Sequence, residues 1–187
     1  MTLAQVGRIT VAEFERLIAL PENADRKLEL FNGEIIEHMP TVAHARVMRR
    51  LHEFLSAYLR DHAIGEYFPE LRLSLPDQPD HDVIPDLVFV RQERLAAIND
   101  DEAPLPFIPD LCIEIQSPGQ SKTLLQDKAR YYLAHGARMV WIIYPKKGMV
   151  EWLTPTDGDF VVGGEALTGG AVLPGFSVTV SALLTLP

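Results

Sequence analysis

The run Leu111-Cys112-Ile113-Glu114-Ile115 places one carboxylate inside an otherwise apolar, strand-forming segment, and Gln116 follows it. Side chains alternate along a strand, so Leu111, Ile113 and Ile115 share one face while Cys112, Glu114 and Gln116 share the other. An ionised glutamate in such a strand is costly to bury alone, which means the fold must bring it a lysine or a cation. Leu87 to Val90 is apolar on both faces, as in a sheet covered on both sides. Arg138 to Tyr144 is a further central strand. These runs predict an α/β fold with a mixed central β-sheet flanked by helices.

The flanking elements follow from periodicity. Asn32-Gly33 separates Leu28 to Phe31 from Glu34 to His38 and tolerates the positive φ angles of a two-residue hairpin turn. The N-terminal β-hairpin so predicted puts Glu29, Phe31, Glu34 and Ile36 on one face. A helix opening at Pro40-Thr41 carries Val47, Met48, Leu51, Leu55, Tyr58 and Leu59 at helical spacing and stops near Gly65, with His44 on the inward edge of the stripe. The alternation of Leu71, Leu73 and Leu75 predicts a strand over Phe68 to Leu75, before a Pro/Asp-rich loop that leads to Asp86. Arg91 to Pro109 reads as a surface excursion with a short helix at Glu93 to Ile98.

A helix from Lys122 to His135, ended by Gly136, turns Leu125, Lys128, Ala129, Tyr132 and Leu133 inward. A lysine among apolar residues requires a carboxylate or anion partner. Gly148 to Leu153 and Phe160 to Val162 suggest a hairpin around Thr154 to Asp159, and the tail ends in a strand or loop and a short helix. No internal repeat or low-complexity segment interrupts this order. At 187 residues, one domain covers 1–187, with a core at 28–145 and a C-terminal hairpin and tail at 146–187.

Composition narrows the function classes. A single cysteine excludes an internal disulfide, and no charged-then-apolar leader opens the sequence, so a cytoplasmic protein is expected. The longest apolar run, Met139 to Tyr144, is far short of the ~20 residues a membrane helix needs. Twenty-six acidic against 17 basic residues give a net charge of −9, which opposes nucleic-acid binding over the whole surface. Carboxylates gathered to hold divalent cations offset part of that objection, because bound ions reverse the local sign.

The inward polar residues are Glu29 or Glu34, Glu70, Asp86, Glu114 with Gln116, and Lys128. Carboxylates on adjacent strands suit a hard cation such as Mg²⁺, which takes oxygen ligands and keeps several waters. A lysine beside them can position a nucleophile or offset developing charge. His44, Glu29, Glu34 and Glu70 are additional candidates, each with a purely structural alternative.

The order Pro85-Asp86, then Glu114-Ile115-Gln116, then a helix and an apolar strand resembles the PD-(D/E)XK nuclease superfamily. Within it the sequence is most similar to the Uma-two family of proposed restriction endonucleases. The likeness runs from the hairpin to Pro145 and is densest at Glu114-Ile115-Gln116-Ser117-Pro118, then Lys128, Tyr132, Gly136 and Trp141. It implies a restriction-endonuclease-like fold in which Asp86, Glu114 and the Ile115 carbonyl hold metal. Gln116 stands at the usual lysine position, with Lys128 of the following helix supplying the lysine. Leu124 and Tyr144 replace aspartates common among relatives.

The function expected from this resemblance is Mg²⁺-dependent hydrolysis of DNA phosphodiester bonds, with Mn²⁺ as a substitute, by a homodimer that has no membrane segment. The alternatives are a catalytically degenerate nuclease-fold domain that binds nucleic acid or protein, and a metal-free carboxylate pair of the glycosidase kind.

Overall fold

The computed structural model describes residues 7–99, 101 and 104–184. Helix α1 (Val11–Ile18) comes first, ahead of the hairpin. Thr10 caps it: its side chain accepts from the Glu13 N–H while the Glu13 carboxylate accepts from the Thr10 N–H, a reciprocal box that satisfies two end donors. Phe14 from α1 packs on Leu28 and Leu30 of β1 (Leu28–Phe31). β1 pairs antiparallel with β2 (Glu34–Glu37) through Asn32 and Gly33, both at positive φ as the turn requires.

Helix α2 (Val42–Asp61) is capped by Thr41 and buries Val47, Leu51 and Leu55 at four-residue spacing. Then come β3 (Gly65–Pro69), β4 (Leu87–Arg91), the short α3 (Gln92–Leu95) and β5 (Leu111–Ile115). Helix α4 (Lys122–Ala134), capped by Ser121, leads to β6 (Met139–Tyr144), β7 (Met149–Leu153) and β8 (Gly158–Val162). The chain ends in a hairpin of β9 (Ala166–Gly169) and β10 (Leu173–Thr179), followed by α5 (Val180–Leu184).

Six strands form the central sheet in the order β3-β4-β5-β6-β7-β8. Every neighbouring pair is antiparallel except β5 and β6, which α4 joins as a crossover. The sheet is therefore mixed, with helices on both faces. On one face α2 and α5 cover Leu87, Phe89, Ile113, Ile115 and Trp141. On the other α4 covers Val88, Cys112, Val140, Ile142 and Tyr144. Each fully buried aliphatic side chain in these layers contributes roughly 1.5–3 kcal/mol. Among the described residues no helix is long and apolar enough to cross a membrane.

Two sequence expectations are corrected and two are refined. The strand expected over Phe68 to Leu75 lies earlier, at Gly65–Pro69. Glu70 takes a left-handed backbone, φ 51°, and its N–H donates to the Asp86 carbonyl, so the extended run stops there. Leu73 is buried as its alternation implied, but it makes only isolated bridges, to Val83 and Leu105. The helix expected at Glu93 to Ile98 begins at Gln92 and ends at Leu95; residues 100, 102 and 103 of that excursion lie outside the described residues. The tail strand is half of a hairpin, and α1 precedes the hairpin that was expected to open the fold.

Gly65 is the backbone position with least room. Its φ is +152°, and an added Cβ would sit 2.2 Å from the Val90 carbonyl oxygen and 2.9 Å from the Arg91 Cα. Gly65→Ala is expected to lower stability by roughly 2–4 kcal/mol. Urea unfolding checks this, with Gly119→Ala, whose Cβ would meet no atom within 4 Å, as the reference for positive-φ strain alone.

Candidate active site

The β4–β5 ladder ends at the Leu87–Ile113 pair, and Asp86 and Glu114 each stand one residue beyond it. Glu114 meets α4 and Asp86 meets His44 of α2, both at the end of the sheet where β4 begins and β5 ends. The regular ladder stops there because the Asp86 carboxylate takes over as acceptor: the Ile115 N–H donates to its Oδ2 at 2.7 Å. The other oxygen, Oδ1, lies 2.9 Å from His44 Nε2 and 3.9 Å from Lys27 Nζ. His44 is delivered by the first turn of α2, whose capping Thr41 accepts from the His44 N–H.

Glu114 Oε1 is 2.7 Å from Lys128 Nζ and accepts from the Tyr132 hydroxyl, also at 2.7 Å. Lys128 and Tyr132 stand one helical turn apart on α4, which is why one face of that helix serves one carboxylate. The same ammonium donates to both oxygens of Glu29 at 3.0 Å. Glu29 Oε2 accepts from the Ile84 N–H, and its Oε1 lies 2.9 Å from His38 Nε2 without hydrogen-bond alignment. Glu29, Glu114 and Lys128 are all at most 1 % exposed. The lysine has no free path to solvent.

The sequence-derived candidates thus separate. Asp86, Glu114, Lys128, Glu29 and His44 converge. Glu70 joins from the rim, where its carboxylate sits 2.9 Å from Lys27. Glu34 shares the Glu29 face in register but is exposed at the turn. Gln116 lies past the end of β5, and its amide donates to the Gln120 carbonyl, closing the Ser117 to Ser121 turn. Tyr144 donates to Glu151, which also accepts from Gln126, and Leu124 packs partly buried in the α4 layer.

Sequence reading missed Lys27 and His38. Lys27 stands two residues before Glu29 at the start of the hairpin, a position with no burial anomaly to mark it. His38 ends the opposite strand, and its N–H bonds back to the Lys27 carbonyl.

Asp86 and Glu114 offer oxygen donors on adjacent strands, the chemistry a hard divalent cation selects. Among the described residues no group of three or more His, Cys, Asp or Glu side chains is arranged to hold a metal ion. A cation at the pair would complete its shell with water and main-chain oxygen, as Mg²⁺ ordinarily does, so the residues fit the group. Around the pair, four carboxylates (Glu29, Glu70, Asp86, Glu114) stand with two lysines (Lys27, Lys128) and two histidines (His38, His44).

A family model described as "Putative restriction endonuclease", Uma2, matches residues 11–181. The crystal structure of "a putative nuclease belonging to DUF820" from Anabaena variabilis ATCC 29413 superposes with a TM-score of 0.79 at 25% identity, covering 94% of this chain and 97% of that one. No curated protein matches the chain.

Burial and charge set the protonation pattern. Burial alone would raise Glu29, but the Lys128 charge and His38 hold its carboxyl well below the usual range. Asp86 is likewise lowered: burial opposes ionisation, and His44, the Ile115 N–H and Lys27 outweigh it. Glu114 goes the other way, raised by burial and by the neighbouring Asp86 and Glu29 charges despite Lys128. Lys128 itself is raised, because two carboxylates overcome its burial.

A carboxyl lowered by folding stabilises the protein above its ordinary value of about 4.5 and ceases to do so as pH falls through the folded value. Glu114 has the opposite sign, its contribution being lost as pH rises through the raised value. Lys128→Met, which strands two buried carboxylates, is expected to cost about 3–5 kcal/mol in urea unfolding at neutral pH. Adding Glu29→Gln should recover part of that loss, and Glu29→Gln alone should weaken the decline in stability below pH 4.5. A double variant no more stable than Lys128→Met would contradict the shared pair.

Proposed function

The chain belongs to the Uma2 family, and from that membership we propose that it hydrolyses DNA phosphodiester bonds using a divalent cation, Mg²⁺ or its substitute Mn²⁺, held by Asp86 and Glu114. The observation that carries this reading is a pair of buried carboxylates one residue beyond the last β4–β5 pair, near enough for the Asp86 charge to act on Glu114. The Ile115 main chain is the third expected donor. When bound, the cation would withdraw charge from the phosphate and acidify a coordinated water.

The protein's own groups do the positioning. The Ile115 N–H and His44 fix the Asp86 carboxylate, and Lys128 with Tyr132 fixes that of Glu114. Lys128 is sealed between two carboxylates, so it acts through Glu114 rather than on a nucleophile in solvent. Lys27 is the ammonium group on the open side, 21% exposed and between Glu70 and Asp86, where it can neutralise charge on an incoming phosphate. Gln116, at the adjoining turn, is the candidate for orienting water. A homodimer acting on cytoplasmic DNA would supply one such site for each strand of a duplex.

A second reading is a degenerate domain that binds nucleic acid or protein without turnover. It is favoured by the complete pairing of Glu114 with Lys128 and of Asp86 with His44, and by the lack of a three-residue ligand group among the described residues.

Plasmid DNA incubated with Mg²⁺ or Mn²⁺ separates the two. Loss of an outer partner of a metal ligand typically costs 10–100-fold, so His44→Ala should slow cleavage about tenfold. Asp86→Asn and Glu114→Gln, which remove the ligands themselves, should slow it by more than about a hundredfold. Equal nicking by wild type and both ligand variants would sink the assignment. Calorimetric Mn²⁺ affinity should also strengthen as pH rises, because the raised Glu114 must shed its proton before it can ligate.

A further inference from the structure

The fold gathers cations where the acidic composition gives no reason to expect them. One side of the first half of α2, the 3₁₀ turn Pro145–Lys147 and α5 enclose a groove whose rim is Arg46, Arg49, Arg50 and Lys146. Its floor is apolar, built from Val47, Pro145, Leu183 and Leu184. Among the described residues no carboxylate lines it, although Glu53 pairs with Arg49 and Arg50 from the outer side. Arg50 also donates to the Ala182 carbonyl at 2.9 and 3.0 Å, which ties α5 to α2 and fixes the groove's width. Arg46 and Lys146 are exposed, and neither is ion-paired among the described residues.

The groove continues toward the carboxylates. Lys146 also lines a second hollow with Gln116, Ser117 and Gln120, on the turn that immediately follows β5. Its position follows from the sheet, because β6 runs parallel to β5 and the Gln116 N–H donates to the Ile143 carbonyl.

We infer that this groove is the track for the sugar-phosphate backbone of the DNA strand beside the scissile bond, with Arg46 and Lys146 on consecutive phosphates. The inference rests on the nuclease reading. Charge complementarity selects a polyanion, and the apolar floor between cationic walls matches a backbone whose sugars alternate with phosphates. A track of this kind reconciles a net charge of −9 with a DNA substrate, since the attractive field is confined to one groove beside the site.

The test is fluorescence anisotropy of a short labelled duplex in the presence of chelator, over a salt series. Each phosphate contact contributes about −0.9 to the slope of log affinity against log salt. Arg46→Ala/Lys146→Ala should make the slope shallower by about 1.8 and weaken binding roughly tenfold to a hundredfold at ~0.1 M salt. Arg46→Lys/Lys146→Arg, which keeps both charges, should retain the slope. Unchanged affinity and slope in the alanine pair overturns the track. So does a shift in its sedimentation relative to wild type, which would make the groove a contact between copies. Cleavage by wild type with an unaltered slope in the alanine pair removes the track alone, whereas an altered slope without cleavage removes the nuclease reading alone.

Discussion

Everything at the open end of the sheet depends on one fully buried ammonium group. Lys128 Nζ joins Glu29 of the hairpin to Glu114 of β5, and so ties three elements that share no regular backbone pairing with one another. Such a group is a poor source of net stability, because removing three charges from water costs several kcal/mol for each ion. What it supplies is orientation. Glu114 cannot rotate away from Asp86 without stranding the lysine, and the hairpin cannot slide without stranding Glu29.

Much of the fold was legible because its cues are local. Asn32-Gly33 dictates a hairpin turn whatever surrounds it, and the doubly apolar Leu87 to Val90 requires cover on both faces. The misplaced strand shows where local cues end. Leu71, Leu73 and Leu75 alternate correctly for burial, yet whether a segment joins a ladder depends on which backbone groups are still unpaired nearby. There the Asp86 carbonyl had taken the Glu70 N–H. Helix α1 carried a readable signature in the Thr10 and Glu13 pair.

The site was legible to the extent that burial conflicts with charge. Glu114 and Lys128 are anomalies within apolar periodicity, so a sequence alone marks them as needing partners. Lys27 carries no such anomaly, for a lysine beside a strand is ordinary, and only the arrival of Glu70 and Asp86 from distant segments gives it a role. Gln116 illustrates the reverse. Its alternation pointed it alongside Glu114, but the strand ends one residue earlier and the turn claims its amide.

The Glu29 to Lys128 contact spans 99 positions of sequence. Closing a loop of that length carries an entropy cost that the contact must outweigh, and the contact needs both ends of the loop to exist. During synthesis the hairpin leaves the ribosome long before α4 exists. Glu29 and Glu114 then remain hydrated, mobile carboxylates with no fixed relation to Asp86. The chemistry proposed for this chain is therefore withheld from every partly made copy, with no inhibitor required, and becomes available only when the last element of the pair has docked.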